Sequence, residues 1–342
     1  MGPGAGPILA PRRARGETPG LQGHRFGPVI VVAGEALIDL VADSDGRYRP
    51  IPGGSPANVA VGLTRLGGRT ELLARLGTGV FGRIVRAHLD DNRVGLTHAV
   101  STDDPTTLAV VALDDQGRAA YDFYVEGTAD WGWTDDELPD PLPDGAVAVC
   151  TGSLAVAIEP GASALAALLR REHERGAVTV VLDPNVRPAL LGSPAQARTL
   201  LEGLVALCDV VKVSDEDLEW LAPGEEVATV AEAWTRLGPA LVVVTRGAEG
   251  ALAATREGAT SAVPAPPVQV VDTVGAGDAF TAGLVDTLRL HDLLGPGSGE
   301  RLAALAAAEL GDILRRAALV AALTCGRAGA DPPTAAEVEA AT

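Results

Sequence analysis

The stretch best equipped for chemistry is Asp272-Thr273-Val274-Gly275-Ala276-Gly277-Asp278-Ala279-Phe280. It joins an apolar, extended run, Val268 to Val271, to a helical run, Ala279 to Leu290. Two glycines around one alanine put small, permissive backbone at the turn into that helix. The first N–H groups of a helix lack internal partners and carry partial positive charge, so such a turn can receive an anion. The carboxylate of Asp278 follows at once. Donors for a phosphate beside a base make a phosphoryl-transfer centre. The helix end should hold the Asp278 pKa low, leaving it ionised at neutral pH and able to accept a proton. The same residues also suit a plain strand-to-helix turn with aspartate as N-cap, and the nonamer alone does not separate the two.

Other polar residues fall where strands end. Val29 to Ala33 is a continuous apolar run, the pattern of a strand buried on both faces, and it leads to Gly34-Glu35-Ala36-Leu37-Ile38-Asp39. Open α/β sheets bind ligands beyond the carboxyl ends of their strands, which makes Asp39 a candidate. With Asp43 and Asp45 close by, it reads equally as a turn or surface carboxylate. In Gly53-Gly54-Ser55-Pro56-Ala57-Asn58, Ser55 and Pro56 read as N-cap and first helical residue. Val59, Leu63 and Leu66 recur at helical spacing, and Gly67-Gly68 supplies the stop. Asn58 lies in the first turn, near whatever the Gly53-Gly54 backbone approaches. Ala57 stands where a serine-hydrolase elbow needs its second glycine, so that chemistry is excluded.

The elements that must position these residues alternate. Leu72–Leu76 reads as a strand and Phe81–Asp91 as a helix. Leu108–Leu113 and Ala119–Val125 read as a hairpin around Asp114–Arg118. A hairpin interrupting a βα series suggests a flap, and Trp131 and Trp133 on the return path either pack its hinge or floor a pocket. Strands are then expected at Ala146–Cys150, Val178–Leu182, Val210–Val213 and Leu241–Thr245, with helices at Ala162–Arg175, Ala195–Leu207 and Val227–Leu237. Leu302–Leu323 reads as one long alanine-rich helix. The fold class is α/β, with a mostly parallel central sheet flanked by helices. Asp183-Pro184-Asn185-Val186-Arg187, Lys212 to Asp217 and Thr245 to Gly250 follow successive strands, so one crevice would collect them. Arg187 could meet a substrate carboxylate or pair with Asp183.

Composition removes several classes. The net charge of −18 disfavours nucleic acid and anionic membrane surfaces as partners. Lys212 is the only lysine, and it has no glycine-rich context, which removes a Walker A loop. Cys150, Cys208 and Cys325 lack pair spacing and suggest reduced thiols in a cytoplasmic protein, and the five histidines show no metal-ligand spacing. No apolar run approaches the roughly 20 residues of a membrane span. Residues 1–27, rich in Gly, Pro and Arg, read as a disordered extension; Arg12-Arg13 lacks the apolar run of a twin-arginine signal.

Together these segments resemble the ribokinase-like, or phosphofructokinase-B-type, carbohydrate kinases. Gly53 to Gly68 looks like that family's N-terminal pattern, and Asp272 to Phe280 looks like its Asp-Thr-x-Gly-Ala-Gly-Asp-x-Phe pattern. The likeness covers about Val29 to Val338. It implies a kinase domain over residues 28–342, with a small β lid from segments about 40–51 and 105–128. It implies ATP as donor, with Asp278 as base and the Gly275, Ala276 and Gly277 N–H groups around the transferred phosphoryl. Asp39, Gly53, Gly54, Asn58 and Arg187 would hold a sugar. Lys212, Ser214, Thr245, Gly247, Gly250, Ala328 and Gly329 would lie along the nucleotide. Glu216 or Asp217 would order the water around Mg²⁺, where the family often has Asn-x-x-Glu, and Asp272 with the Val274 carbonyl would hold K⁺. Lids in the family often pair, which leaves a homodimer open.

The residues resemble fructokinase-like members most, through Gly34–Asp39, Lys212–Ser214 and Cys325–Ala330. A 2-keto-3-deoxygluconate kinase is the nearest alternative, because of Arg187, and other small-sugar or nucleoside kinases follow. A non-catalytic sugar or nucleotide sensor is the alternative of another class, opposed by the intact Gly275–Asp278 run. A dinucleotide-dependent oxidoreductase is opposed by Phe280, which stands where its fingerprint needs Gly or Ala.

Overall fold

The computed structural model describes residues 27–42, 45–113 and 119–342. The expected extension lies outside these except for Gly27, and so does the Asp114–Arg118 turn. From the amino end run β1 (Val29–Ala33), β2 (Leu37–Ala42), β3 (Tyr48–Gly53), α1 (Ser55–Arg65), β4 (Arg69–Leu73), β5 (Arg75–Gly77), α2 (Val80–Asp91) and β6 (Val100–Thr102). After β7 (Leu108–Leu113) and β8 (Ala119–Tyr124) comes an alternating series. It comprises β9 (Ala146–Gly152), α3 (Gly161–Arg175), β10 (Thr179–Asp183), α4 (Pro188–Leu191), α5 (Pro194–Val205), β11 (Val210–Ser214), α6 (Asp215–Leu221), α7 (Val227–Thr235) and β12 (Leu241–Thr245). The last elements are β13 (Ala251–Thr255), β14 (Thr260–Val263), α8 (Ala276–Leu290), α9 (Ser298–Ala303), α10 (Ala307–Cys325) and α11 (Ala335–Ala340).

The central sheet has the order β14-β13-β12-β11-β10-β9-β1-β4. The strands from β12 to β4 are parallel, as expected, and β13 and β14 add an antiparallel edge. Period-2 alternation sends Ile30 and Val32 of β1 into a core shared with α1, α2, α8 and α10. Val29, Val31 and Ala33 point into the opposite core, under α3, α5, α6 and α7. Burial on both faces is why β1 reads as an unbroken apolar run. The chain leaves β1 toward β4 on one side, while β9 to β12 fill the other. Strand order therefore reverses beside β1, where open α/β sheets form their ligand crevice.

A second sheet, β3-β2-β7-β8, stands apart from the first. It pairs β2 with β3 and β7 with β8 antiparallel, and β2 with β7 parallel. Its root is tied to the core at several points. Ala36 N–H donates to Asp130 Oδ1 (2.8 Å), Ile38 N–H to the Thr107 carbonyl (3.1 Å) and Ala129 N–H to the Pro105 carbonyl (2.9 Å). Trp131 and Trp133 are buried beside this root, so they pack it and do not floor a pocket.

Two readings of the sequence need correction, and one edge of the sheet was not foreseen. Val268–Val271 is not a strand. It has no ladder partner, and Val268, Val270 and Val271 are exposed. The expected helix over Leu302–Leu323 is two helices, because Glu309 caps the Ala306 N–H (2.9 Å) and starts α10 afresh. The β13–β14 edge was not foreseen, since Ala-Leu-Ala-Ala-Thr carries little β propensity of its own.

α1 and α8 pack against each other closely enough that a side chain at Gly62 would begin 2.7 Å from Ala282 Cβ. One turn earlier on each helix stand Asn58 and Asp278. Gly62→Val should therefore cost about 1–3 kcal/mol of stability by overpacking this contact. Urea denaturation measures the cost, and a midpoint equal to wild type would show that the two helices can part freely.

Candidate active site

α8 begins at Gly275, whose φ of 74° lies in the left-handed region. A Cβ there would start 2.5 Å from Ala330 Cβ, so the turn and the C-terminal tail need glycine to meet. Ala276 N–H donates to the Thr273 carbonyl (3.2 Å) and Ala279 N–H to that of Gly275 (2.8 Å). Of the three N–H groups expected to face a phosphoryl, that of Ala276 thus already has a protein acceptor.

Asp278 is the third residue of α8, and it does not cap the helix. Its Oδ1 accepts from Ser55 Oγ (2.6 Å) and its Oδ2 from Asn58 Nδ2 (2.8 Å). Ser55 was expected to cap α1; Gly54 does so instead, at φ 101°, which frees the Ser55 hydroxyl for Asp278. The expected low pKa is also reversed. Burial raises the Asp278 pKa, the bonds from Ser55 and Asn58 and the charge of Lys212 pull it down, and Asp183 adds to the rise. The net direction is up, because lost hydration outweighs those two bonds and the lysine charge.

Asp39 sits within β2, opposite Ile51 of β3, and not at the end of β1. Its Oδ2 occupies the space where a Gly53 side chain would begin, so β3 needs glycine there. Burial raises its pKa to about 6, with Arg187 opposing and Asp278 assisting. The two carboxylates and the guanidinium therefore share one field. Arg187 Nη1 donates to Asn185 Oδ1 (2.7 Å) and to the Asn185 and Val186 carbonyls (3.1 Å each). The alternative pairing of Arg187 with Asp183 does not form, because Asp183 is taken by Lys212.

Lys212 Nζ lies 3.0 Å from Asp183 Oδ2, and both side chains are buried. Thr281 Oγ1 reaches the same oxygen at 2.8 Å. Nζ is also 3.3 Å from where a Gly277 side chain would start, which puts the lysine against the first turn of α8. Asp217 Oδ1 accepts from Val186 N–H (3.0 Å) and Oδ2 from Ser214 N–H (3.3 Å), while Ser214 Oγ accepts from Asp217 N–H (3.0 Å). Glu216 is exposed on α6.

Toward the expected nucleotide side, Thr245 pairs with Ser214 across β11 and β12, and Gly247 opens onto free space. Gly250 is occupied otherwise. It closes the turn before β13, and a Cβ there would strike the Val263 carbonyl at 2.0 Å. Asp272 ties the α8 turn to the tail: Oδ1 accepts from Val274 N–H (3.0 Å) and Oδ2 from Gly329 N–H (2.8 Å). Ala328 precedes that anchor. No group of three or more His, Cys, Asp or Glu is arranged to hold a metal ion among the described residues. The donors near the site are carboxylate and carbonyl oxygens, which suit hard cations such as Mg²⁺ and K⁺.

Sequence reasoning missed Ser55, Asp183 and Thr281 as site residues. Ser55 was masked by its fit to a cap, and Asp183 by a nearer arginine. Thr281 carries no motif of its own. It also missed Glu35 and Asp130, which are buried where the second sheet joins the first. Glu35 Oε2 accepts from Ala155 N–H (3.2 Å), and Asp130 Oδ2 has no protein partner. Burial raises Glu35 to about 7 and Asp130 to about 6.

A family model described as "pfkB family carbohydrate kinase" matches residues 28–336. The fructokinase of Klebsiella pneumoniae is 38% identical over 279 residues, covering 81% of this chain and 88% of the relative. Among solved structures, the fructokinase of Xylella fastidiosa with bound ATP aligns with a TM-score of 0.83 at 30% identity, covering 91% of this chain and 97% of that one. A double mutant of Vibrio cholerae O395 fructokinase, in a form with fructose, ADP and potassium ion, aligns with a TM-score of 0.79 at 31% identity, covering 92% and 97%.

The joint between the two sheets makes stability depend on pH. An acid whose folded pKa is raised holds its proton more tightly when folded, so its ionisation destabilises the fold as pH rises from the unfolded value toward the folded one. For Glu35 that window runs from 4.5 to about 7. Glu35→Gln should flatten the decline by about 1 kcal/mol per pH unit inside it. Urea unfolding at pH 5.5 and 7.5 reads this out, and an unchanged difference between the two would refute the assignment.

Proposed function

The chain belongs to the pfkB family of carbohydrate kinases, and we propose that it transfers the γ-phosphoryl group of ATP to a hydroxyl of fructose. The observation that carries this reading is Asp278, buried, raised in pKa and held by Ser55 and Asn58 beside the Gly275–Gly277 turn. Phosphoryl transfer asks a protein mainly for positioning and charge stabilisation, with a base at the nucleophile. Asp278 would accept the proton from the sugar hydroxyl as that oxygen attacks phosphorus. A carboxylate whose pKa has risen toward the working pH is a stronger base than an exposed one.

Around that step, Asp39, the Gly53-Gly54 backbone, Asn58 and Arg187 would orient the sugar. The N–H groups of the Gly275–Gly277 turn and the charge of Lys212 would meet the negative charge of the phosphoryl group. Ser214, Thr245 and Gly247 would flank the nucleotide, with Ala328 and Gly329 on its other side; Gly250 would shape the turn behind them. Mg²⁺ supplies neutralisation of the phosphate charge when bound, and Asp217 and Glu216 would order its water. Asp272 and the Val274 carbonyl would hold K⁺, and each Asp272 oxygen keeps a lone pair for it. The second sheet would act as the lid, keeping water from competing as acceptor. It exposes Tyr48, Ile51 and Tyr124, which supports a homodimer formed lid to lid. Cys150 and Cys208 are buried thiols, in keeping with a cytoplasmic enzyme.

Arg187 is the one observation favouring an acidic sugar such as 2-keto-3-deoxygluconate. Its Nη1 already serves Asn185 and Val186, and its charge is shared by Asp39 and Glu35. A substrate carboxylate would have to compete with both acids, so a neutral sugar suits the pocket better.

Asp278→Asn should lower kcat by at least about 10³-fold while leaving sugar and ATP binding within a few-fold. A coupled ADP-release assay and calorimetric titration measure the two. Substantial turnover in that variant would remove Asp278 as the base. The same assay over fructose, ribose, 2-keto-3-deoxygluconate, inosine and adenosine should give fructose the highest kcat/KM. Failure of all five with ATP still binding would favour a sensor.

A further inference from the structure

We propose that Asp183 is a positioning residue for phosphoryl transfer, fixing through Lys212 and Thr281 both the geometry and the charge of the turn that carries Asp278. The proposal rests on the sugar-kinase reading above.

Asp183 ends β10, beside the place where strand order reverses, and its carboxylate is buried. One oxygen, Oδ2, receives Lys212 from β11 and Thr281 from α8. Thr281 Oγ1 also lies 3.1 Å from the Gly277 carbonyl, and its single proton goes to the shorter contact, with Asp183. The second turn of α8, one turn beyond Gly277, is therefore moored to the end of β10 from inside the crevice. The other oxygen, Oδ1, is buried without a protein partner, and Asp183 lines a narrow cavity with Ser55, Thr151 and Thr281. An acid placed only to neutralise a lysine would not need to leave an oxygen unpaired, since an orphaned buried acceptor is costly.

The charges explain the arrangement. A buried ion pair gains little stability over apolar side chains of similar volume, so its use lies in what it positions. Burial pulls the Lys212 pKa down; the facing carboxylates of Asp183, Asp217 and Asp278 more than offset this and keep it cationic. That places a permanent positive charge against Gly277, where an incoming phosphoryl group would gain from it. Asp278 is faced by Asp183 from β10, Lys212 from β11 and Asp39 from β2, with Ser55 and Asn58 bonding to it from α1. Asp183 raises the proton affinity of Asp278 and Lys212 lowers it, so Asp183 offsets the very cation it holds.

The test uses the full chain with ATP and fructose. Asp183→Asn removes the charge and keeps the shape. Its kcat should fall by about 30-fold or more with the fructose KM within about threefold. The acid limb of its kcat/KM profile should move to lower pH, because a charge that raised the Asp278 pKa is gone. Thr281→Val removes the mooring and keeps the charge, so its kcat should fall by about fivefold with the acid limb unmoved. If Asp183→Asn does not fold, Asp183→Asn combined with Lys212→Met removes both halves of the ion pair and should turn over more slowly than Lys212→Met alone. A folded Asp183→Asn with wild-type kcat, or with reduced kcat and an unmoved acid limb, overturns the proposal, as does a double variant as fast as Lys212→Met alone. Wild-type protein inactive on every sugar would instead sink the kinase reading, and this proposal with it.

Discussion

The close approach of α1 and α8 is the contact on which the site depends. Where Gly62 meets Ala282 there is no room for another carbon, so the helices are held at near-backbone distance. One turn toward both N-termini, that spacing lets the short side chains of Ser55 and Asn58 reach Asp278. Asp278, the proposed base, is thus positioned by a packing constraint one helical turn away. It is also why the two sequence motifs, distant along the chain, act as one unit.

The second constraint is electrostatic. Glu35, Asp39, Asp130 and Asp278 are all raised in pKa, and burial is the leading cause each time. A helix N-terminus stabilises negative charge at its own end, but that effect is about 1 kcal/mol, and dehydration of a carboxylate exceeds it. For a base the outcome is useful. An aspartate with a low pKa would ionise easily and hold a transferred proton poorly. Burial with two hydrogen bonds instead gives a carboxylate both oriented and proton-hungry.

The fold was legible where burial is two-sided and repeats are regular. Val29–Ala33, Val210–Val213 and Leu241–Thr245 announced themselves as strands because β-branched and aliphatic residues dominate them, with Lys212 the one charged interruption. Val268–Val271 has the same look and is exposed, since composition says what a segment prefers and not whether a partner strand is free. In the candidate site, the glycine turn and Asp278 stood out in the sequence because their types suit a phosphate and a base. Ser55 was not, because its position satisfies a commoner local rule, and only the left-handed Gly54 ahead of it releases the hydroxyl. Asp183 and Lys212 lie on neighbouring strands 29 residues apart, and no local pattern says that they touch.

The pocket's charge balance sets the terms for any anionic donor. Against Asp39, Asp183, Asp217 and Asp278 the chain brings Lys212, Arg187 and the N-terminal end of α8. Arg187 is committed beside Asn185, Lys212 is bonded to Asp183 and Arg246, between Thr245 and Gly247, is paired with Glu249, so each of these cations is already engaged by the protein. Phosphates entering such a crevice need their own counter-charge, which suits a donor that arrives with a divalent cation. In the lid role proposed for the small sheet, excluding water would strengthen each attraction from the α8 turn and from Lys212 as phosphoryl charge is met. Glu35, at the root of that sheet, faces Arg187 as Asp39 does, which ties it to the charges around Asp278.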